Sequence, residues 1–404
     1  MRATWRWFGP EDPMTTGWMR QAGATSVEAS LTHLPPGAVW ERDAIGELRA
    51  RIATAPSGQT RLPWDTLGGI AIHDDIKLGR AGSARLTANF QETVKRLAGA
   101  GVRRINFTVM PLLDWVRTGL GTVLESGAEA LGFDVVDFAG VDVFLLRRPG
   151  AADELAPDLL AAAEQRHAAT PKARWDELLH MLTRGLPGGP GHYESGEFHA
   201  LLDAYQKLGT EAYRQNLIGF LGEVAATCEA EGAVFAIHPD DPPMPLCGLP
   251  RIASTRRDFA RIFDAVTSPA AGMIFCSGSL ASRRDNVLAD FVADFGPRIF
   301  YAHPRRIRFR DDLGSFTEAE HLGGEAAFDL RDVLALLIGE EARRRAAGIA
   351  DWEIPYRADH ACRILHDQGR ADFVPGYTPV GLVKATAELR GMIHALQGAH
   401  GPAG

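Results

Sequence analysis

Four side chains of the types that bind metal ions each follow a short apolar segment in the second half of the chain. They are His238, Cys276, His303 and Asp359, which come after the segments 233–237, 272–275, 298–302 and 353–357. Short runs of β-branched, aromatic and small apolar residues are typical of buried parallel strands. Because catalytic groups in α/β barrels lie at the carboxyl ends of the strands, we expect these four side chains to meet.

The donor atoms in this set indicate which metal would bind. Imidazole nitrogen, thiolate sulfur and carboxylate oxygen together suit a divalent transition ion such as Mn, Fe, Co or Zn, whereas Mg and Ca prefer oxygen ligands. Taken singly, a histidine at a strand end is usually a hydrogen-bonded structural residue, and a buried cysteine is usually a small hydrophobic residue. Their recurrence at four strand ends favours a metal site over four structural residues.

Two further polar residues stand close to these four in the sequence. His360 directly follows Asp359, and Tyr377 lies in the stiff loop Pro375–Pro379. Both side chains could transfer protons. Alternatively, His360 could hydrogen-bond a metal ligand, and Tyr377 could be an aromatic residue that packs the loop.

Other polar residues could bind a substrate. Arg305 follows His303 closely and could hold a carboxylate through two parallel hydrogen bonds, or it could belong to a solvated basic run. His73 could line a pocket or simply begin a helix. Asp240 is the first of two carboxylates that follow His238 closely in the sequence, and it could also contact a substrate.

The order of the elements predicts the frame that positions these groups. Strand-like segments alternate with helical ones along most of the chain, and the first four strands are predicted at 5–8, 25–30, 67–72 and 102–109. Eight strands in this alternation favour an α/β fold, a (β/α)8 TIM barrel. An open doubly wound sheet is the alternative, but it would need a glycine-rich phosphate loop after the first strand, which segment 8–13 does not resemble.

The regular alternation stops after the fourth predicted strand. Residues 118–209 contain one β-rich patch, 133–146, and several helical stretches, so we expect a mainly helical insertion that caps the barrel. We therefore expect a single TIM-barrel catalytic domain over residues 1–397 and a disordered tail over residues 398–404.

Composition excludes several classes of partner. The chain of 404 residues has a formal net charge of −8, which argues against nucleic acid or an anionic membrane as its partner. No apolar run approaches the roughly 20 residues that span a bilayer, and the opening segment predicts a strand rather than a secretory signal. The four cysteines are widely spaced and do not indicate a disulfide framework. We expect a cytoplasmic protein.

Several motifs, in order along the chain, resemble those of the mannonate dehydratase family. The most specific is His238-Pro-Asp-Asp-Pro-Pro243, and the others include Trp5-Arg6-Trp7, His73-Asp-Asp-Ile-Lys77, Met110-Pro-Leu-Leu-Asp-Trp115, Cys276-Ser-Gly-Ser279, Arg357-Ala-Asp-His360 and Pro375-Gly-Tyr377. The resemblance covers nearly the whole chain. It implies a xylose-isomerase-like TIM barrel, a divalent metal that is usually Mn(II) or Fe(II), and a hydro-lyase that converts D-mannonate to 2-keto-3-deoxygluconate and water.

The resemblance also implies roles for individual residues. The metal ligands carry over to His238, Cys276, His303 and Asp359, and the acid and base carry over to His360 and Tyr377, with Tyr377 favoured as the base. We expect the sugar-acid substrate to contact Arg6, Trp7, His73, Asp240 and Arg305, and we expect a homo-oligomer, a dimer or larger. A metal-dependent isomerase or epimerase of a sugar acid and a non-catalytic sugar-acid-binding protein are the alternatives.

At several positions the chain has a residue that differs from the family pattern. They are Phe8, Gly68, Thr108, Leu280, Ala358, Ala361 and Cys362. Position 68 is typically acidic in the family, and position 108 is typically Asn. We expect most of these positions to form the substrate wall and to make it less polar, so we expect weak activity on D-mannonate and a preference for a related aldonate.

Overall fold

The strands form two sheets, of which the larger is a closed barrel. The computed structural model describes residues 1–184 and 195–399. Its strands are β1 (Arg2–Trp7), β2 (Ser26–Ala29), β3 (Trp64–Leu67), β4 (Arg104–Thr108), β5 (Gly119–Val123), β6 (Glu129–Phe133), β7 (Val234–His238), β8 (Ala271–Cys276), β9 (Ile299–His303), β10 (Arg306–Phe309), β11 (Phe316–Ala319) and β12 (Pro355–Tyr356). Eight of them close in the order β1-β12-β9-β8-β7-β4-β3-β2, and their pairings are parallel. The fold is the predicted (β/α)8 TIM barrel.

Helices lie between the barrel strands and in the segment between β4 and β7. They are α1 (Thr16–Gln21), α2 (Arg42–Ala53), α3 (Asp74–Lys77), α4 (Ser83–Gly99), α5 (Val135–Gly140), α6 (Ala151–Glu154), α7 (Pro157–Ala169), α8 (Lys172–Arg184), α9 (Ser195–Ala230), α10 (Arg256–Ala265), α11 (Ser277–Ala281), α12 (Leu288–Phe295), α13 (Leu330–Ala346) and α14 (Pro379–Ala399). In α4, Leu86, Phe90 and Val94 recur at helical spacing and are buried. The backbone of α9 leaves the helical conformation at Gly209.

The second sheet joins the insertion to the loop that follows β9. Its antiparallel order is β10-β11-β6-β5, and β5 and β6 belong to the insertion between β4 and β7. Phe133 of β6 pairs with Phe316 of β11, and their ring centroids are 5.7 Å apart. The insertion also contains α5 to α8, so it is mainly helical as predicted.

The prediction of a β-rich patch at 133–146 is wrong, because most of this segment is helical. Helix α5 is followed by a π-helix at Val141–Leu145. Asp134 is the N-cap, and its side chain accepts hydrogen bonds from the backbone N–H groups of Val136 and Asp137. This cap favours helix where the β-branched residues alone favour a strand. The third strand is also displaced, because β3 ends at Leu67, where the prediction began.

The C-terminal helix reaches further than predicted. Helix α14 extends to Ala399, two residues into the segment predicted as a disordered tail, and residues 400–404 lie outside the described part of the chain. Among the helices of residues 1–184 and 195–399, none has the length and apolar character needed to cross a membrane.

Candidate metal centre

The ends of β7, β8 and β9 and the segment after β12 bring the four predicted ligands together. One ligand atom from each lies within 4.8 Å of the others, in the set His238, Cys276, His303 and Asp359. Cys276 and His303 are register partners across β8 and β9, and Cys276 Sγ lies 3.9 Å from Asp359 Oδ2. The protein therefore has a candidate metal-binding site at the carboxyl ends of its barrel strands.

The hydrogen bonding of the two imidazoles suits metal binding. His238 Nδ1 lies 2.7 Å from the Pro239 carbonyl oxygen. Because a carbonyl only accepts, Nδ1 carries the proton and Nε2 keeps its lone pair. Both ring nitrogens of the buried His303 lack a hydrogen-bond partner within residues 1–184 and 195–399. Burial lowers the pKa of both imidazoles, so both are neutral at pH 7, and a bound cation would take the lone pair of the unprotonated ring nitrogen of His303.

The pKa values of the thiol and the carboxylate of the cluster are shifted in opposite directions. Burial raises the pKa of the Cys276 thiol to about 11, so a thiolate at neutral pH requires a cation beside it. Burial would also raise the pKa of Asp359, but Arg357 and other neighbouring groups hold it well below its usual range. The backbone φ of Asp359 is 61°, a left-handed conformation that Asp tolerates better than most residues and that costs free energy.

Arg305 lies behind the candidate ligands, which corrects its predicted role in substrate binding. Its Nε donates to Asp359 Oδ2 at 2.7 Å and its Nη2 donates to Asp241 Oδ2 at 2.6 Å. Its Nη1 donates to Glu318 Oε1 at 3.2 Å. Because all three guanidinium nitrogens bind buried groups of the protein, Arg305 orients Asp359 and has no free edge for a ligand's carboxylate.

His360 and Tyr377 both lie beside Asp359. Glu318 Oε1 is 2.7 Å from His360 Nδ1, and His360 Nε2 is 3.9 Å from Asp359 Oδ1. Burial raises the pKa of Glu318, but Arg305 and other cations outweigh burial and lower it to about 2, so it is an ionised acceptor. The Tyr377 hydroxyl donates to Asp359 Oδ1 at 3.1 Å and accepts from Arg357 Nη1 at 2.8 Å.

One pocket contains these groups and defines the surroundings of the metal site. Its lining includes His238, His303, Asp359, His360, Tyr377, Arg6, Phe8, Glu28, Gly68, Lys77, Asn106, Thr108, Asp114, Trp115 and Arg357. Arg6 is the one predicted substrate-binding residue among them. Cys276 is fully buried and lies behind the pocket surface.

Three more residues predicted to bind substrate have structural roles instead. Trp7 is buried in the core, and its Nε1 donates to the Met14 carbonyl oxygen at 3.0 Å. His73 is the N-cap of α3. Asp240 is fully buried and accepts a hydrogen bond from Ser254 Oγ at 2.7 Å. None of the three is part of the pocket lining in the described structure. Trp7 and Asp240 are buried, and the half-buried His73 accepts a hydrogen bond at Nδ1 from the backbone N–H of Asp75.

The departures from the family pattern divide between the pocket and the core. Phe8, Gly68 and Thr108 line the pocket. Leu280 belongs to the main hydrophobic core, and Cys362 packs in a separate small apolar cluster. These positions were predicted to form mostly the substrate wall. The prediction fails for Leu280 and Cys362, whose side chains pack inside the protein.

Two polar residues of the pocket were not singled out from the sequence. Glu28 on β2 accepts a hydrogen bond from the Tyr301 hydroxyl at 2.8 Å and forms an ion pair with Arg357 at 2.7 Å. Asn106 lies on β4. Each lies within a strand between two apolar residues, Glu28 between Val27 and Ala29 in β2 and Asn106 between Ile105 and Phe107 in β4. A polar residue within a strand of a parallel barrel is the signal that could have identified both, because such strands are normally apolar.

Known proteins resemble this chain over almost its full length. The family model for D-mannonate dehydratase (UxuA) matches residues 1–401. The mannonate dehydratase of Saccharophagus degradans is 38% identical over 397 residues, 98% of both chains. That of Chromohalobacter salexigens is 40% identical over 398 residues, 98% of this chain and 99% of the relative. The mannonate dehydratase structure from Streptococcus suis serotype 2 has the same fold, with a TM-score of 0.75 and 23% identity, over 100% of this chain and 95% of that one. The protein is therefore a member of the D-mannonate dehydratase (UxuA) family.

Proposed function

We propose that this protein is a metal-dependent hydro-lyase that converts D-mannonate to 2-keto-3-deoxygluconate and water. The observation that carries the proposal is the convergence of four candidate metal ligands with His360 and Tyr377 in one pocket. A cation site beside two proton-transfer groups suits an elimination next to a carboxylate. The relatives at 38% and 40% identity are named mannonate dehydratases, which favours this reaction over isomerisation, epimerisation or binding alone.

The metal is proposed to be Mn(II) or Fe(II), held by His238, Cys276, His303 and Asp359. The unpaired ring nitrogens of His303 and the mixed donor set fit such an ion. When bound, it would supply positive charge that draws the substrate carboxylate and 2-hydroxyl into place and stabilises negative charge developing at C2.

His360 is proposed as the base that removes the C2 proton. The Glu318 carboxylate accepts the Nδ1–H hydrogen bond at 2.7 Å, so Nε2 is left with a lone pair on the side that faces Asp359. Glu318 also stabilises the imidazolium that forms when Nε2 takes the proton. This reverses the sequence-based preference, in which Tyr377 was the base.

Tyr377 is proposed as the acid that assists departure of the 3-hydroxyl. As the C2–H electron pair forms the C2–C3 double bond, the C3–O bond breaks and the phenol proton completes a water molecule. The resulting enol becomes the 2-keto acid when C3 gains a proton and the 2-hydroxyl loses one. Arg357 Nη1 is 2.8 Å from the phenol oxygen and stabilises the phenolate left behind.

A mass-resolved assay tests the reaction. We expect the Mn(II)-loaded protein to form a 2-keto acid from D-mannonate within a panel of hexonates and pentonates, with a product lighter than the substrate by one water. A product of unchanged mass would indicate an isomerase or epimerase. Thermal stabilisation by an aldonate without turnover over the whole panel would indicate a binding protein. Either result would refute the proposed dehydration.

The wall of the pocket gives no reason to expect a loss of polarity overall. Gly68 and Thr108 replace more polar residues of the family pattern, but Glu28 and Asn106 also line the pocket. The ideal Cβ position at Gly68 is 1.2 Å from Arg6 Nη1 and 3.1 Å from Glu28 Cγ, so the Arg6 guanidinium fills the space of the missing acid and Glu28 supplies a carboxylate on the neighbouring strand. D-mannonate is therefore the substrate that we propose first, in place of the weak activity expected from the sequence.

Replacing Gly68 by Ala should weaken substrate binding without unfolding the protein. A Cβ there would lie 1.2 Å from Arg6 Nη1, so the flexible end of Arg6 must leave its position in the pocket. Arg6 Nη1 makes only long contacts, 3.4 Å to Ser30 Oγ and 3.5 Å to Glu28 Oε1, so its guanidinium can also donate to a substrate oxygen. We expect kcat/KM to fall about tenfold, the loss of one hydrogen bond to a charged group. Gly219→Ala, where a Cβ meets nothing within 4 Å, is the control, and equal kinetics in both variants would refute the role of Arg6.

Three coarser expectations from the sequence remain proposals. Residues 1–397 act as one catalytic domain with 118–209 as a cap over the barrel, which the pairing of β6 with β11 supports. A reducing cytoplasmic setting suits the four free cysteines and a Cys276 ligand. The homo-oligomer stays a prediction.

A further inference from the structure

The side chain of Asn106 is buried in the pocket wall without a hydrogen-bond partner. Its residue is 2% exposed, and within residues 1–184 and 195–399 neither Oδ1 nor Nδ2 has a partner. Burying an amide without compensation is unfavourable, so nearly all buried amides are hydrogen-bonded. An unpaired amide that lines a pocket indicates that a bound molecule completes its hydrogen bonds.

The strand register fixes where Asn106 lies relative to the candidate metal site. On β4, Thr108 is the register partner of His238 and Asn106 is the partner of Ala236. Residues two apart on a strand share a face and are roughly 6.5 Å apart. Asn106 is therefore one layer of side chains deeper in the barrel than His238, below the position of a metal-bound group.

The chemistry of the amide selects the group that it would bind. Oδ1 accepts and Nδ2 donates, and a hydroxyl group can both donate and accept. A carboxylate only accepts, so it would leave Oδ1 unpaired. Lys77 and Asp114 also line the pocket, so the pocket wall has further polar groups for a polyol.

We propose that Asn106 is a specificity-determining residue that hydrogen-bonds a hydroxyl group of the sugar acid at C4, C5 or C6. This inference rests on the proposed dehydration, in which the carboxylate and 2-hydroxyl face the metal site and the 3-hydroxyl leaves. The remaining hydroxyls are those that can reach a deeper layer of the pocket. Asn106 binds one of them and so selects among aldonates.

The test couples a change in the protein to a change in the substrate. Asn106→Leu removes both polar atoms at similar volume, and three analogues of D-mannonate each lack the hydroxyl at C4, C5 or C6. For one analogue, we expect the unmodified protein to lose about 10- to 100-fold in kcat/KM. Asn106→Leu should show a similar loss on D-mannonate and no further loss on that analogue, while the losses on the other two analogues persist.

Stability measurements and two further variants distinguish binding from a structural role. Because Asn106→Leu removes an unpaired buried amide, Tm should stay equal or rise while kcat/KM falls. Asn106→Asp keeps the size of the side chain. If the Leu variant does not fold, kcat/KM on D-mannonate and on the three analogues is measured with the Asp variant instead. Asn89→Leu is the control. Asn89 Nδ2 donates to the Gly37 carbonyl oxygen at 2.9 Å, and Asn89 is not part of the pocket lining.

The outcomes separate this inference from the function on which it rests. If the protein dehydrates D-mannonate but every analogue suffers the same relative loss in the unmodified protein and in the Asn106 variants, Asn106 binds water or is structural, and the inference is overturned alone. If the unmodified protein turns over no aldonate, the proposed function and the inference are both overturned.

Discussion

Cys276→Ala will deplete the bound metal and lower kcat/KM for D-mannonate by about 10³-fold or more, because the charge that stabilises the transition state is lost. Cys276 supplies one of four ligand atoms that lie within 4.8 Å of one another. The three remaining donors hold a divalent ion more weakly. Elemental analysis after purification with Mn(II) measures the metal content per protein chain. Steady-state kinetics with added Mn(II) measure the loss of kcat/KM.

Cys228→Ala is the matched control for the metal ligand. Cys228 and Cys276 are both fully buried, so both substitutions remove one sulfur atom from a packed interior and should destabilise the fold to a similar degree. Cys228 lies in the main hydrophobic core, so its variant should keep full metal content and activity. Full metal occupancy in Cys276→Ala and in His303→Ala would show that the cluster is structural.

The barrel and the clustering of the ligand types could be predicted because both depend on one regularity. Parallel strands of a barrel all present their carboxyl ends to the same side, so residues that follow different strands meet there. Cys276 and His303 end β8 and β9 and are register partners. Their proximity follows from strand boundaries, which the apolar runs indicate well. No knowledge of side-chain direction is needed for this step.

Side-chain direction explains the substrate residues that were predicted wrongly. Arg305 and Asp240 lie within two residues of His303 and His238, and proximity in sequence suggested a shared pocket. Both side chains are instead buried behind the site, where Arg305 holds Asp359 by a hydrogen bond of 2.7 Å. Charged residues beside metal ligands are needed to orient the ligands, and sequence spacing alone does not separate that role from substrate contact.

The pocket residues that were missed are on the inward faces of strands. Most of the predicted site residues stand at or after the end of a strand, whereas Glu28 and Asn106 lie within β2 and β4 and line the pocket below the strand ends. They share the pocket wall with Gly68 and Thr108, so polar groups remain near these two departures from the family pattern. A comparison of single positions detects the departures, whereas the fold shows which polar residues lie in the same wall.

His360→Asn and Tyr377→Phe are each expected to lower kcat by about 10²- to 10⁴-fold, the usual contribution of one proton-transfer group. Neither residue belongs to the four-ligand cluster, so both variants should keep their metal. Tyr356→Phe is the control for the phenol, because Tyr356 is buried on β12 outside the pocket lining of the described structure. Near-normal turnover in His360→Asn and Tyr377→Phe would show that neither residue transfers a proton.

The two variants should differ in the step that they block, and exchange of the C2 hydrogen with deuterated water distinguishes them. If His360 is the base, His360→Asn will abolish both exchange and dehydration, since no group accepts the C2 proton. Tyr377→Phe will still allow exchange at C2 while dehydration is slow, because the proton is removed but the 3-hydroxyl leaves without an acid. The opposite pattern, with exchange lost in Tyr377→Phe and kept in His360→Asn, would assign Tyr377 as the base and would contradict the role that the hydrogen bond between Glu318 and His360 Nδ1 supports.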